Sequence, residues 1–220
     1  MNILTLDAET FFSKEYTLKR LTTEEYIRDP RFECHGWAVR WPNGFTEWLD
    51  ADSARAKFEH VDWSTTIVLA HHSQFDGLIL SHHFGVRPRG WLCTLAMARY
   101  LLGNHLRVGL DALAGHFNLA AKSVPYHLFE GRHWHEIGPV DRAQIEAGAC
   151  HDVELTWELF QRMSSSFPAG EYPIVDATIR MFTEPMLVGN IEKLGEIWND
   201  EARRKDERLG KLGVQVADLQ

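Results

Sequence analysis

The chain has 220 residues, of which 45% are hydrophobic and 25% are charged, and this composition excludes an intrinsically disordered protein. The formal net charge of −8 excludes a broad basic surface that grips nucleic acid, although it is compatible with an enzyme that meets phosphates through bound cations. No apolar run has the length of a membrane span, and no basic stretch precedes the apolar N-terminus, so we predict neither a membrane segment nor a signal peptide. Three widely separated cysteines predict reduced thiols and a cytoplasmic location.

The first predicted elements are strands. Residues 3–9 alternate between two faces and end in two acids, which predicts a β-strand. Aromatic and β-branched residues at 35–41 and 45–49 flank a Pro-Asn-Gly sequence at 42–44, and Asn-Gly between such runs predicts a hairpin. Residues 53–60 predict a short helix.

The middle of the chain alternates between the two kinds of element. The continuous apolar run 65–70 predicts a central, buried strand, and residues 76–84 predict a helix after it. A short strand at 91–94 is followed by predicted helices at 95–102 and 109–118.

The last part of the chain is predicted to be mainly helical. Residues 120–138 are irregular and predict a long loop, and apolar residues at spacings of three and four predict a helix over 141–163. Residues 171–189 are mixed, and 190–212 predict a strongly charged helix. A hairpin followed by alternating strands and helices predicts an α/β fold with a mixed sheet.

Two acids lie at the end of the first predicted strand. Asp7 and Glu9 are two residues apart, so both carboxylates project from the same face of that strand. Burying two adjacent negative charges is costly unless a cation neutralises them. The alternative is a strand end whose acids face solvent.

Asp76 and Asp152 are two further acids with unusual placement. Asp76 lies just beyond the carboxyl end of the predicted buried strand, where α/β folds bind ligands, although it could instead cap the next helix. Asp152 lies on the packed face of the helix 141–163, so it either pairs with an arginine or faces the other three acids. Four clustered carboxylates suit two hard divalent ions such as Mg²⁺, which promote in-line attack on a phosphodiester.

Three segments in order resemble the motifs of DEDD-type 3′→5′ exonucleases. They are residues 6–10 (LDAET), 71–77 (HHSQFDG) and 151–156 (HDVELT). The resemblance covers at least residues 2–163. It implies a ribonuclease-H-like fold, a mixed sheet flanked by helices, in which two Mg²⁺ or Mn²⁺ ions are held by the acids of the three motifs. These metal-binding and catalytic residues are Asp7, Glu9, Asp76 and Asp152.

Other segments, at 26–33, 94–99 and 104–114, are most similar to the proofreading domain of phage-type family A DNA polymerases. This resemblance implies an exonuclease domain over residues 1–167 and a helical extension over 168–220 that is similar to the connection to a polymerase. The implied partners are single-stranded DNA or a DNA 3′ end and a DNA polymerase, covalently linked or separate, with no membrane. The implied location is the cytoplasm, that of the host cell if a phage encodes the chain.

The chain departs from the family pattern at two motifs. His72 stands where the second motif usually has Asn. Gly148 and Ala147 stand where the third usually has Tyr or His, the group that orients the attacking water. Tyr126 in the irregular loop and His151 are candidates for that role, and the metal ions alone could also position the water.

Substrate contacts are expected beside the first two motifs. Phe11 and Phe12 follow the first motif, and we expect one to pack in the core and the other to stack on a base. The predicted substrate-binding residues are Thr10, Phe11, His72 and Phe75.

The sequence thus predicts a metal-dependent 3′→5′ exodeoxyribonuclease of the proofreading type that releases nucleoside 5′-monophosphates from DNA 3′ ends. One alternative is an RNA-trimming exonuclease of the same fold, because the sequence does not reveal a contact to the 2′-hydroxyl. The other is a catalytically silent module that binds nucleic acid or tethers a polymerase, which the missing Tyr or His would explain.

Overall fold

The computed structural model describes residues 2–103, 106–185 and 187–213. By its internal contacts the chain divides into two compact units, Met1–Glu184 and Pro185–Gln220. No helix in the described ranges is both long and apolar enough to cross a membrane. Residues 104–105, part of one polymerase-like segment, and 214–220, the end of the predicted extension, lie outside the described residues.

Five strands form the mixed sheet that the sequence predicts. They are β1 (Asn2–Thr10), β2 (Cys34–Arg40), β3 (Thr46–Asp50), β4 (Thr66–Ala70) and β5 (Gly90–Cys93). Their spatial order is β3-β2-β1-β4-β5, in which β1 is antiparallel to β2 and parallel to β4. The α/β fold with a ribonuclease-H-like mixed sheet flanked by helices is confirmed, and each predicted strand is present within two residues of its expected bounds.

The predicted hairpin joins β2 and β3. The Trp41 amide donates a hydrogen bond to the Phe45 carbonyl oxygen at 2.8 Å, which closes the turn. Gly44 has a φ of 88°, a left-handed conformation that glycine adopts without the steric cost other residues incur. The turn residues therefore set the register that places Trp37 opposite Leu49.

Helices flank this sheet in the first unit, and the last helix lies in the second unit. They are α1 (Thr23–Arg28), α2 (Ala51–Phe58), α3 (Ser73–Phe84), α4 (Thr94–Leu102), α5 (Leu110–His116), α6 (Pro139–Ser164), α7 (Tyr172–Thr183) and α8 (Ile191–Lys211). The predicted loop 120–138 contains two short 3-10 turns, Tyr126–Leu128 and Trp134–Glu136.

Two helices were not predicted. The six-residue α1 is too short to show a period, but Thr22 and Glu25 form a capping box that satisfies its first amides. Residues 171–189 appeared mixed, yet α7 forms there because its apolar side packs against α3 and β5. Asp176 at its centre accepts a hydrogen bond from the Trp91 amide at 2.8 Å.

The start of α3 differs from the prediction and changes the role of one acid. The helix begins at Ser73, and the residue before it, His72, has a φ of 72°. Asp76 is therefore inside the first turn and does not cap the helix. Its carboxylate is turned toward β1 instead.

The long helix α6 packs across β1, β2 and β3, which brings the third predicted motif to the first. Ile145, Ala149 and Val153 are fully buried along this contact. Pro139 begins the helix at a position where its missing amide hydrogen costs no hydrogen bond.

The first compact unit extends beyond residue 167, where the predicted exonuclease domain ends, because α7 packs on the sheet unit. The second unit contains α8, whose residues are almost all exposed, including Trp198. This confirms the charged helix predicted over 190–212. The resemblance of the extension to a polymerase connection stays a prediction.

Candidate active site

Asp7 and Glu9 lie on the carboxyl-terminal half of β1. Glu9 is 4% exposed and Asp7 is half-buried, so the alternative of two acids that face solvent does not hold for Glu9. Asp76 accepts a hydrogen bond from the Ala8 amide, with Oδ1 3.0 Å from that nitrogen. Because Ala8 separates the two acids of β1, this bond fixes the second motif to the centre of the first.

A cavity of about 530 Å³ opens beside these acids. Most of the residues that the sequence predicts for the site line it. They are Asp7, Glu9, Thr10, His72, Phe75, Asp76 and Tyr126. The structure thus brings together residues from β1, α3 and the irregular segment before α6.

Asp152 lies in α6 and is fully buried. The Nζ atom of Lys122 is 2.7 Å from its Oδ2, so the acid forms an ion pair, with a lysine where the sequence suggested an arginine. The other carboxylate oxygen, Oδ1, has no hydrogen-bond partner in the described part of the chain. Lys122 lines the cavity and Asp152 does not, so the ammonium group covers this acid.

The acids act on one another electrostatically. Burial, opposed by Lys122 and reinforced by Asp152, raises the pKa of Asp7 to about 6. Burial first and Asp7 second raise the pKa of Glu9 well above its usual range, and the same two causes raise that of Asp76. Negative charge is therefore concentrated here beyond what the fold itself neutralises.

Lys122 is the site residue that the sequence analysis missed. Burial opposes its charge, but Asp7 and Asp152 raise the pKa of its ammonium above the ordinary value. Its Nζ lies 5.0 Å from the centroid of the Tyr126 ring, within the range of a cation–π interaction. A single lysine in an irregular loop carries no sequence signal for this placement.

Tyr126 and His151, the two candidates for orienting water, occupy different places. Tyr126 lines the cavity, and burial raises the pKa of its hydroxyl, so the group keeps its proton at neutral pH. The Nε2 atom of His151 donates a hydrogen bond to the Ala121 carbonyl oxygen at 3.0 Å. His151 is outside the cavity lining, so the structure does not bring it to the acids.

The two phenylalanines after the first motif lie in different surroundings. Phe11 is buried, and its ring stacks on His133 with centroids 4.4 Å apart. Phe12 lines the cavity. Phe11, which the sequence predicted as a substrate-binding residue, therefore packs in the core and does not line the cavity, whereas Phe12 does.

His72 is held in an uncommon backbone conformation at the cavity edge. Its φ of 72° is left-handed, which is rare for residues other than glycine and is concentrated at functional sites. Its neighbour His71 is fixed through Nδ1, which lies 2.8 Å from the Thr94 hydroxyl. The strain places the His72 side chain on the cavity wall.

The residues at this site have the chemistry of a divalent-metal centre. Carboxylate oxygens are the ligands that Mg²⁺ and Mn²⁺ prefer, and a cation would meet Oδ1 of Asp152, which has no hydrogen-bond partner among the described residues. Within the described residues, no three acid, histidine or cysteine side chains converge closely enough to form a finished coordination sphere. One of the four acids, Asp152, is oriented toward the ammonium group of Lys122, with which it forms an ion pair.

No protein-family model and no curated protein sequence matches the chain. Solved structures do match its fold. The Trypanosoma brucei RNase D complex with RNA U12 is 15% identical, with 85% of this chain and 66% of that chain covered and a TM-score of 0.62. Brucella melitensis NrnC with bound Mg²⁺ is 14% identical, with 83% of each chain covered and a TM-score of 0.57.

The catalytic core of RRP6 from Trypanosoma brucei is a third similar structure, at 14% identity and a TM-score of 0.58. The match covers 82% of this chain but 45% of that one, so the chain spans about half the length of the RRP6 core. At these identities the similarity shows the fold, and this chain shares the ribonuclease-H-like fold of these structures.

Proposed function

We propose that the protein is a metal-dependent 3′→5′ exonuclease that removes nucleoside 5′-monophosphates from single-stranded 3′ ends. The observation that carries this proposal is the meeting of Asp7, Glu9 and Asp76 at one cavity, with Asp152 behind Lys122 at the same place. Acids this buried, with raised pKa values, destabilise a fold unless cations compensate them, so their concentration is best explained by chemistry.

Asp7, Glu9, Asp76 and Asp152 would hold two Mg²⁺ or Mn²⁺ ions. When bound, such ions supply the positive charge that activates water and stabilises the leaving 3′ oxygen. The protein itself supplies position. The Ala8 amide holds Asp76 in place, and the protonated Tyr126 hydroxyl, which lines the cavity, would orient the attacking water.

The substrate strand would enter over Phe12. A second cavity, of about 420 Å³, shares Phe12, Thr17 and Lys19 with the first and adds Lys14 and Arg20. Phe12 is partly exposed, and an accessible aromatic ring beside cations is how single-strand binders combine base stacking with phosphate contacts. Thr10, His72 and Phe75 line the first cavity, where the terminal nucleotide would lie.

Two substrate classes fit this proposal. The motif order and the polymerase-like segments favour DNA and a proofreading role, in which residues 168–220 would be a connection to a polymerase partner. The fold similarity to T. brucei RNase D, whose complex contains RNA, favours trimming of RNA.

The experiment is digestion of 5′-labelled single-stranded DNA and RNA of the same sequence, with Mg²⁺, Mn²⁺ or a chelator. A double variant, Asp7→Ala with Glu9→Ala, is compared with Asp52→Asn, which changes an exposed acid on α2. We expect ladders that shorten from the 3′ end with wild type and Asp52→Asn and that disappear with chelator and in the double variant. The relative rates on the two oligonucleotides assign the substrate class.

The absence of shortening on either oligonucleotide with either metal would reject the proposal. A silent module that binds nucleic acid would then be the better account, and its binding should survive in the double variant when a chelator is present.

A further inference from the structure

The side chain of Lys122 lies among the carboxylates of the candidate site, in contact with Asp152 and close enough to Asp7 to stabilise its charge. Its position differs from that of a surface ion pair, because Asp152 is fully buried and the lysine side chain is 23% exposed. A buried carboxylate without a cation would be strongly unfavourable. Lys122 is therefore the cation that the fold itself supplies to this site.

The segment that carries Lys122 crosses α6 at Gly148, a position without a side chain. At Gly148 an added Cβ would lie 2.9 Å from the Val124 Cα and 3.0 Å from the Ser123 carbonyl oxygen, so residues 123–124 cross the helix where it has no side chain. Two hydrogen bonds hold the backbone just before the crossing. The Lys122 amide donates to Asp111 Oδ1 at 3.3 Å, and His151 donates to the Ala121 carbonyl oxygen.

The contact with Asp152 leaves room for another ligand. Oδ2 is 2.7 Å from Nζ of Lys122, whereas Oδ1 has no hydrogen-bond partner among the described residues. A carboxylate held through one oxygen by one ammonium group can exchange that group for another cation, because its second oxygen is already available. A divalent ion and the ammonium group would therefore compete for the same acid.

We propose that Lys122 is an internal, exchangeable cation. In the metal-free protein its ammonium group neutralises Asp152 and Asp7, and a divalent ion that binds at the site displaces it from Asp152. Lys122 thereby acts as a positioning residue that sets the metal affinity of the site and keeps the acids together until a metal arrives. This inference rests on the proposed function only in taking these acids as ligands of a divalent ion.

The test is the affinity of the metal-stripped, full-length protein for Mn²⁺ alone, measured by calorimetry and by electron paramagnetic resonance, without nucleic acid. In Lys122→Met the competing charge is absent, so we expect Mn²⁺ to bind on the order of tenfold more tightly than in wild type. The melting temperature in chelator should fall in the same variant, because its acids are no longer neutralised.

Three variants serve as controls. Lys122→Arg keeps the charge and should bind Mn²⁺ with near wild-type affinity. Lys19→Met removes a charge from the same cavity without the contact to Asp152, and should tighten binding less than Lys122→Met does. In an Asp152→Asn background, Lys122→Met should have a much smaller effect on Mn²⁺ affinity than in wild type.

Gly148→Ala keeps the lysine but displaces residues 123–124, so it should also tighten Mn²⁺ binding, and it replaces Lys122→Met as the test if that variant does not fold. Unchanged or weaker Mn²⁺ binding in the folded variant, or no binding by any form, would overturn the inference.

The two proposals fail separately. Tighter Mn²⁺ binding by Lys122→Met without any digestion of oligonucleotides would uphold the exchangeable lysine and reject the nuclease. If the wild type digests oligonucleotides but Lys122→Met leaves the Mn²⁺ affinity unchanged, the nuclease is upheld and the exchangeable lysine is rejected.

Discussion

The two walls of the candidate active site are built in different ways. The acidic wall lies on regular elements, with Asp7 and Glu9 on β1 and Asp76 in the first turn of α3. The opposite wall, defined here as residues 12–20 and 121–126, is mostly irregular and carries the cations and the accessible aromatic rings. Backbone hydrogen bonding fixes the first wall, whereas local packing fixes the second, so substitutions in the two walls should have different effects.

The largest effect is expected on the acidic wall. Asp76→Asn keeps an oxygen that can accept the Ala8 hydrogen bond but removes the charge. We expect kcat/KM on a labelled oligonucleotide to fall on the order of a thousandfold, with a melting temperature in chelator at or above that of wild type. Asp76→Ala removes the hydrogen bond as well, so its melting temperature should fall below that of Asp76→Asn. Full activity in Asp76→Asn would remove this acid from the proposed metal site.

The adjacent phenylalanines compare the core with the irregular wall directly. Phe11→Ala removes a buried ring and should lower the free energy of unfolding by about 3–5 kcal/mol in a denaturant titration. Phe12→Ala should cost less stability and should weaken binding of a single strand by about 1–3 kcal/mol, since it removes a stacking surface. Binding is measured by fluorescence anisotropy in Ca²⁺, to limit digestion. The reverse pattern would return the base-stacking role to Phe11.

The raised pKa of Asp7 predicts how the stability of the metal-free protein depends on pH. The native chain keeps a proton on Asp7 up to a pKa of about 6, whereas an unfolded chain loses it near 4. The free energy of unfolding should therefore fall as pH rises between these values, by up to about 3 kcal/mol. The Asp7→Asn variant has no carboxyl group to ionise at this position. Its free energy of unfolding relative to that of wild type should therefore increase with pH and level off above pH 6.

Urea titrations in chelator at pH 4, 5, 6 and 7 measure this difference. His35 and His71, whose pKa values burial lowers to about 4, are present in both proteins and cancel in the comparison. A wild-type stability that rises relative to Asp7→Asn over this range would mean that Asp7 is ionised at little cost in the native fold.

The smallest effect is expected from a single cation of the irregular wall. Lys19→Gln should weaken strand binding modestly and reduce the slope of log affinity against log salt by about 0.7, the value for one phosphate contact on a single strand. Lys205→Gln, an exposed lysine of α8, is the matched control. Equal slopes for the two variants would place the strand elsewhere.

Much of the fold could be predicted from the sequence because its strands are short, strongly patterned and separated by clear turns. The hairpin at 42–44 and the buried strand β4 are examples. The helix α7 could not be predicted, because its formation depends on packing against α3 and β5. The start of α3 could not be predicted either. The helix begins at Ser73 and not at residue 76, because His72 has a left-handed conformation that local propensity disfavours.

The sequence by itself predicted the four acids proposed for the site, since spacing on a strand, position after a buried strand and position on a helix face are local properties. Only the tertiary structure decided what surrounds them. Phe11 faces the core and Phe12 the cavity, and Lys122 reaches Asp152, 30 residues away in sequence, through the gap at Gly148. Such contacts depend on how an irregular segment crosses a helix, and no periodicity in the chain encodes that crossing.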